Sequence, residues 1–150
     1  HVQIAYSDLI PDLHALPSAY KQTALALRVG KLFYSEQSVF PFNKLGIGRL
    51  IHELPEKLCE DFLFEIFGGI TSEHLDKDTL AAIDKFFQNN LNIAETARQL
   101  HMHRNTLIYR LEQVEKRTGL DLRQFEDAMT FKIAIMILNY LQSERNVSHE

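Results

Sequence analysis

Residues 92–119 read NIAETARQLHMHRNTLIYRLEQVEKRTG, and this stretch decides the fold of the second half of the chain. Asn92 is a suitable N-cap for a short helix over 93–100, and a turn is expected over 101–103. The apolar spacing then predicts a longer helix over 104–118. A short helix, a tight turn and a second helix with a polar first turn form the helix-turn-helix arrangement.

The second of these helices has two chemically different sides. With 100° of rotation per residue, Leu111 and Val114 fall within about 40° of Leu107, so this side is expected to pack on a scaffold. A helix that reads base edges in the major groove needs such a packed side and a polar opposite side. The residues predicted on the opposite side are Asn105, Tyr109, Glu112 and Lys116.

The exposed groups of the helix pair suit contact with double-stranded DNA. Arg104 can fork onto guanine O6 and N7 or onto a phosphate, Asn105 can pair bidentately with adenine, and Thr106 offers a hydroxyl. Tyr109 can instead pack on the scaffold, and Arg110 can instead pair with Glu95 or another carboxylate. The full set of predicted DNA-contacting residues is Asn92, Thr96, His103, Arg104, Asn105, Thr106, Tyr109 and Arg110.

The distribution of charge favours the same interpretation. The chain has 16 Lys and Arg against 20 Asp and Glu, a net charge of −4, which excludes an indiscriminate polybasic binder. Residues 92–117 hold five basic and three acidic side chains, a net charge of +2, and the rest of the chain is at −6. The helix pair is therefore basic, whereas the rest of the chain is acidic.

Composition places the chain among ordinary globular proteins. Its 150 residues are 45% hydrophobic and 24% charged, enough for one domain or for a small domain with part of another. Cys59 is the only cysteine, which excludes an intrachain disulfide framework and a four-cysteine zinc site and predicts a cytoplasmic location. No apolar run reaches about 18 residues, so no membrane partner is expected. The chain opens without an initiator Met, which suggests a fragment.

Three motifs that resemble ligand sites are weak. His101 and His103 form an H-x-H pair without a third ligand, so no metal site is expected. The sequence GIG at 46–48 lacks the third glycine of a dinucleotide loop and is interpreted as a hinge. Cys59 has no evident base partner and is interpreted as a core thiol. No cofactor and no catalytic residue are predicted.

Coarse patterning divides the chain into three parts. Residues 1–45 alternate between strand-like and helix-like segments, with strands expected at 2–6 and 38–42 and a helix at 18–34. Residues 46–72 are expected to form a connector helix. Residues 73–150 are expected to form a helical domain, in which Asp76 caps a helix that ends at 89–90 and Gly119 ends the helix over 104–118. A last helix is expected over about 124–141, followed by a polar tail that frays. The predicted fold is therefore mainly α, a helix-turn-helix domain preceded by a small α/β remnant and a connector helix.

The helix-turn-helix segment resembles a known family. The sequences AETAR at 94–98, HRNTL at 103–107, YRL at 109–111 and TGLDL at 118–122 are similar to the C-terminal helix-turn-helix of the PucR/CdaR family of bacterial transcriptional regulators. That family includes regulators of purine catabolism and of sugar diacids. The turn is also similar to that of the Fis-type DNA-binding domain. His101 stands where glycine is common.

The resemblance implies a mechanism as well as a fold. It implies that the second helix enters the major groove, that protomers bind as a homodimer, and that a missing upstream domain senses a small-molecule effector. Residues 1–45 resemble the tail of the degenerate cyclase-like domain that precedes this module in many members. No GGDEF-type motif is present, so cyclase activity is not expected.

We therefore expect a cytoplasmic bacterial transcriptional regulator, an activator of a catabolic operon, and not an enzyme. Two alternatives remain open at this point. One is a helical protein-interaction module whose helix pair has lost DNA contact. The other is an enzyme such as a nucleotide cyclase with its site in the α/β part, for which the sequence offers neither a phosphate loop nor an acidic metal pair.

Overall fold

The computed structural model describes residues 2–68 and 76–147, and within those ranges the chain forms two short strands and seven α-helices. The fold is mainly α, as the sequence predicts. None of the described helices is long and apolar enough to cross a bilayer. The strands are β1 (Ile4–Tyr6) and β2 (Val39–Pro41), and the helices are α1 (Leu16–Phe33), α2 (Gly46–His52), α3 (Glu56–Phe67), α4 (Lys77–Gln88), α5 (Ile93–Gln99), α6 (Arg104–Thr118) and α7 (Phe125–Val147).

The chain divides into two compact units. The first unit comprises residues 1–59 and 139–150, and the second comprises residues 60–138. These divisions fall inside α3 and inside α7. The predicted domain boundary at residue 45 stays a prediction, and the predicted boundary at 72–73 lies outside the described residues.

The first unit contains the predicted strands and helix of residues 1–45. β1 and β2 are parallel, with Ala5 opposite Phe40, and α1 provides the crossover that a parallel pair requires. Phe40 is buried against α1 at Gly30, where a Cβ atom would lie only 2.2 Å from the ring of Phe40. Gly30 therefore allows the close approach of the sheet to the helix. Ala26, Val29, Phe42 and Leu45 complete this core.

The structure differs from the predicted hinge at residues 46–48 and from the single connector helix predicted over 46–72, because α2 ends at His52 and α3 begins at Glu56. Residues 46–48 begin α2, and Gly48 is buried against Phe33, whose ring would lie 2.8 Å from a Cβ atom at that position. The Tyr34 hydroxyl accepts a hydrogen bond from Gly48 N–H at 3.3 Å and donates one to the Leu45 carbonyl at 2.8 Å. The glycine at 48 thus permits close packing, and these contacts hold the segment in place.

α7 extends beyond its predicted end near residue 141. In the first unit, Tyr140 donates a hydrogen bond to the carbonyl of His52 at 3.2 Å, and Glu144 forms an ion pair with Arg28 of α1. These two contacts hold the polar last turns of the helix, which the sequence predicts to be frayed.

The second unit contains the predicted helix-turn-helix and its scaffold. Asp76 caps α4, and its carboxylate accepts a hydrogen bond from Thr79 N–H at 2.8 Å. α4, α5 and α6 share one hydrophobic core with α3 and with the part of α7 that belongs to this unit. The core residues that are fully buried include Phe86, Leu107, Leu111, Val114, Leu122 and Phe131.

Candidate nucleic-acid interface

The short helix α5 is fixed at its start by the predicted cap. The Asn92 side chain accepts a hydrogen bond from Glu95 N–H at 3.0 Å, which satisfies one of the free amides of the first turn. Asn92 itself is exposed. Its capping role is therefore a property of the structure, and its predicted contact with DNA stays a prediction.

The turn between α5 and α6 closes through paired backbone hydrogen bonds. His101 N–H donates to the Arg98 carbonyl at 3.2 Å, and Met102 N–H donates to the Ala97 carbonyl at 3.0 Å. This is the Schellman pattern, which needs a residue in the left-handed region after the helix end. His101 takes that role with φ at +51°. His101 therefore occupies a backbone position that favours glycine.

The packing of the turn fixes the second helix relative to the first. Ala97 is buried, which allows α5 and α6 to cross closely, and Leu100 and Met102 pack against the core of the unit. Because the core holds the turn on both sides, the start of α6 is presented as a rigid feature.

The two sides of α6 differ as predicted. Leu107 and Val114 have 0% exposure and Leu111 has 1%, so one side of the helix is wholly within the core. Arg104, Asn105 and Thr106 are exposed. Tyr109 is 60% exposed, which removes the alternative that its ring packs on the scaffold. α6 therefore has one side packed in the core and a polar surface that is exposed to solvent.

His103 caps the exposed start of α6. Its Nδ1 accepts a hydrogen bond from Asn105 N–H at 3.2 Å, so the proton of the neutral ring is on Nε2. The exposed ring can therefore donate from Nε2 to an acceptor such as a phosphate oxygen. The cap and a phosphate contact are compatible at this residue.

The geometry does not support Thr96 as a DNA contact. Thr96 has 0% exposure, and its hydroxyl donates to the Asn92 carbonyl at 2.7 Å and accepts from the Asn89 side chain at 3.2 Å. A buried hydroxyl with both partners inside the protein has no access to a duplex. Thr96 instead ties α5 to the end of α4.

The predicted alternative for Arg110 takes a different form. Glu95 pairs bidentately with Arg98, with contacts of 2.6 and 3.0 Å, and hydrogen bonds from Arg98 and Gln99 lower the pKa of its carboxyl. The positive charge of Arg110 acts instead on the carboxyl of Asp76. Hydrogen bonds from Thr79 lower the pKa of Asp76 most, and the charge of Arg110 lowers it further.

A cleft beside α6 contains residues that the sequence analysis missed. Gln113, one turn beyond Arg110, and Asp76, treated only as a helix cap, line it together with Arg110. The spacing of 106, 110, 113 and 117 places these positions on one stripe of α6 and was a signal available in the sequence. The proximity of that stripe to the start of α4 is a tertiary feature.

Comparisons with known proteins agree with this geometry. Residues 79–137 match the family described as the PucR C-terminal helix-turn-helix domain. The purine catabolism regulatory protein of Bacillus subtilis is 27% identical over 135 residues, which cover 89% of this chain and 25% of that protein. The carbohydrate diacid regulator of Escherichia coli is 41% identical over 59 residues, covering 39% of this chain and 14% of that protein.

A third relative is similar over most of the chain. The DNA-binding transcriptional activator AdeR of Bacillus subtilis is 23% identical over 141 residues, covering 91% of this chain and 33% of that protein. The chain therefore spans at most about a third of the length of these three relatives.

Proposed function

Residues 79–137 belong to the PucR C-terminal helix-turn-helix domain family, and from this premise we propose that the chain is a PucR/CdaR-type, sequence-specific DNA-binding transcriptional regulator. In this proposal α6 enters the major groove and reads base edges. The proposed activity is binding, and no residue is given a catalytic role. The relatives named above are regulators by name.

The observation that carries the proposal is that one side of α6 is buried while its first turn is exposed. Leu107 is completely buried, while Arg104 and Asn105 at the start of the same helix are exposed. A major groove about 12 Å wide admits a helix only if the side chains on its leading face are free of other protein contacts. The exposed first turn meets that requirement.

The first turn of α6 supplies the groups that distinguish base pairs. The Arg104 guanidinium matches the two acceptors of guanine, O6 and N7, and the Asn105 amide matches the acceptor and donor of adenine. His103 and the amides at the helix start favour a nearby phosphate, since the start of a helix carries partial positive charge. Within this one turn, some groups are thus assigned to reading the bases and others to contacting the DNA phosphates.

The proposal extends to assembly and regulation. We infer that two protomers bind as a homodimer to half-sites about one helical turn apart, roughly 34 Å. A small-molecule effector would act on an upstream domain, and the complex would activate a catabolic operon in the bacterial cytoplasm. The names of two relatives, a catabolism regulator and an activator, support this direction.

Selection of duplexes from a random pool with the 150-residue chain, followed by fluorescence anisotropy, tests the proposal. We expect a shared motif among the selected duplexes. Arg104→Ala and Asn105→Ala should each cost about 1–3 kcal/mol of binding free energy and relax the preference at one base pair.

Lys21→Ala is the matched control, because it removes a positive charge from an exposed position in α1 of the first unit. It should leave both affinity and base preference close to those of the unmodified chain. A pool without an enriched motif would overturn the proposal. Unchanged binding by both α6 variants would show that another surface reads the DNA.

A further inference from the structure

A polar cleft of about 400 Å³ lies between the start of α4 and one side of α6. On α6 the lining residues follow each other at helical spacing, so they form one continuous stripe along the cleft. Asp76 faces them from the cap of α4. The α6 residues that line the cleft include Thr106, Tyr109, Arg110, Gln113 and Arg117.

The described lining of the cleft offers basic and neutral donor groups to an anion. Among the described lining residues, two guanidinium groups, Arg110 and Arg117, lie opposite one carboxylate, Asp76, and Arg117 has a further interaction of its own. The Gln113 amide and the Thr106 hydroxyl add neutral donors. The Asp76 carboxylate is also occupied by Thr79, whose N–H and hydroxyl donate to it at 2.8 and 2.7 Å.

The place of the cleft relative to the proposed reading surface matters as much as its charge. Arg110 is half-buried in the cleft, whereas Asn105 and Tyr109 are exposed at the side opposite Leu107. When a helix lies in the major groove, the sugar-phosphate strands that border the groove run along its flanks. The cleft lies on such a flank.

We propose that this cleft binds one backbone phosphate of the DNA, with Arg110 and Gln113 as its donors and with Asp76 as the carboxylate that limits its affinity. The inference rests on the proposed function and deepens it, because it separates base-reading residues from phosphate-binding residues on the same helix. Arg104 and Asn105 read bases, and Arg110 and Gln113 hold the strand.

Arg110→Gln tests the donor side of the site. We expect the affinity to fall about tenfold for the selected duplex and for an unrelated duplex alike, since a phosphate contact carries no base information. The slope of log K against log salt should become shallower by about 0.9, the contribution of one phosphate. Gln113→Ala removes a neutral donor and should lower both affinities about threefold with an unchanged slope.

Asp76→Asn tests the opposing charge and keeps the shape of the helix cap, because asparagine accepts the same N–H hydrogen bond at an N-cap. Removal of the negative charge should raise the affinity for both duplexes about threefold. Circular dichroism and thermal melting should show that both charge variants remain folded.

The outcomes separate this inference from the proposed function. Asn105→Ala serves as the comparison, since it should alter base preference without a change in salt slope. If Arg110→Gln alters base preference and leaves the slope unchanged, Arg110 reads bases and the phosphate site is wrong. If neither Arg110→Gln nor Asp76→Asn changes affinity, the cleft binds no phosphate. Failure of the unmodified chain to bind any duplex would overturn the proposed function itself.

Discussion

At the scale of single residues, the turn before α6 depends on His101. Its φ of +51° lies in the left-handed region, where a Cβ atom costs roughly 1 kcal/mol relative to glycine. The hydrogen bonds of His101 and Met102 to the last turn of α5 hold the backbone in this conformation. The protein therefore retains an unfavourable backbone conformation at the residue that sets the direction of α6.

Replacement of His101 by glycine should stabilise the protein. We expect His101→Gly to raise the free energy of unfolding by about 0.5–1 kcal/mol, because the relief of steric cost exceeds the added entropy of the unfolded chain. His101→Ala retains a Cβ atom and should bring no gain. Urea unfolding followed by circular dichroism measures both. A loss of stability in the glycine variant would show that the imidazole itself makes a stabilising contact.

Single residues also show what the sequence could and could not reveal about the site. The exposure of Asn105 and Tyr109 follows from helical spacing relative to Leu107, and the sequence was sufficient for it. Arg104 lies about 60° from Leu107 around the helix, so spacing alone does not predict that it is exposed. The burial of Thr96 depends on the Asn89 side chain at the end of α4, a contact that spacing within α5 cannot predict.

At the scale of elements, α6 has one side that packs in the core and another side that is proposed to contact DNA. Its inner side completes the core of the second unit through Leu107, Leu111 and Val114. Its outer side carries the groups proposed to contact DNA. The same kind of substitution should therefore have opposite consequences on the two sides.

Leu107→Asp and Tyr109→Asp place the same charge on opposite sides of α6. Leu107→Asp removes a buried side chain and buries an unpaired carboxylate, so we expect a loss of at least about 4 kcal/mol in the free energy of unfolding. Tyr109→Asp should change that free energy by no more than about 0.5 kcal/mol. It should nevertheless weaken DNA binding at least about tenfold, since the added charge repels phosphates.

Thermal melting and anisotropy with the selected duplex distinguish the two variants. Normal melting of Leu107→Asp would contradict the observed burial of this side. Normal DNA affinity of Tyr109→Asp would place the exposed side of α6 outside the interface.

The elements differ in how far the sequence predicts them. α4, α5 and α6 were predicted with their caps, because Asp76, Asn92 and Gly119 are local signals. α2 was not predicted as a helix separate from α3, because glycines at 46 and 48 have low helix propensity and the contact of Gly48 with Phe33 is tertiary. The added turns of α7 depend likewise on distant partners in the first unit.

At the scale of the whole molecule, the distribution of charge and the match of residues 79–137 to the PucR C-terminal helix-turn-helix domain point to the same surface. Residues 92–117 carry a net charge of +2 on a chain whose other residues sum to −6. An acidic body disfavours non-specific contact with DNA, while the basic helix pair favours one orientation of approach. This arrangement suits a regulator that must discriminate its site from the rest of a genome.

Methylation interference on the selected duplex tests the central claim, that the exposed side of α6 lies in the major groove, most directly. Methylation of guanine N7 projects into the major groove, whereas methylation of adenine N3 projects into the minor groove. We expect N7 methylation to block binding at two clusters of positions about one helical turn apart, and N3 methylation to have no effect there. Interference by N3 methylation alone, or by neither, would contradict this placement of α6.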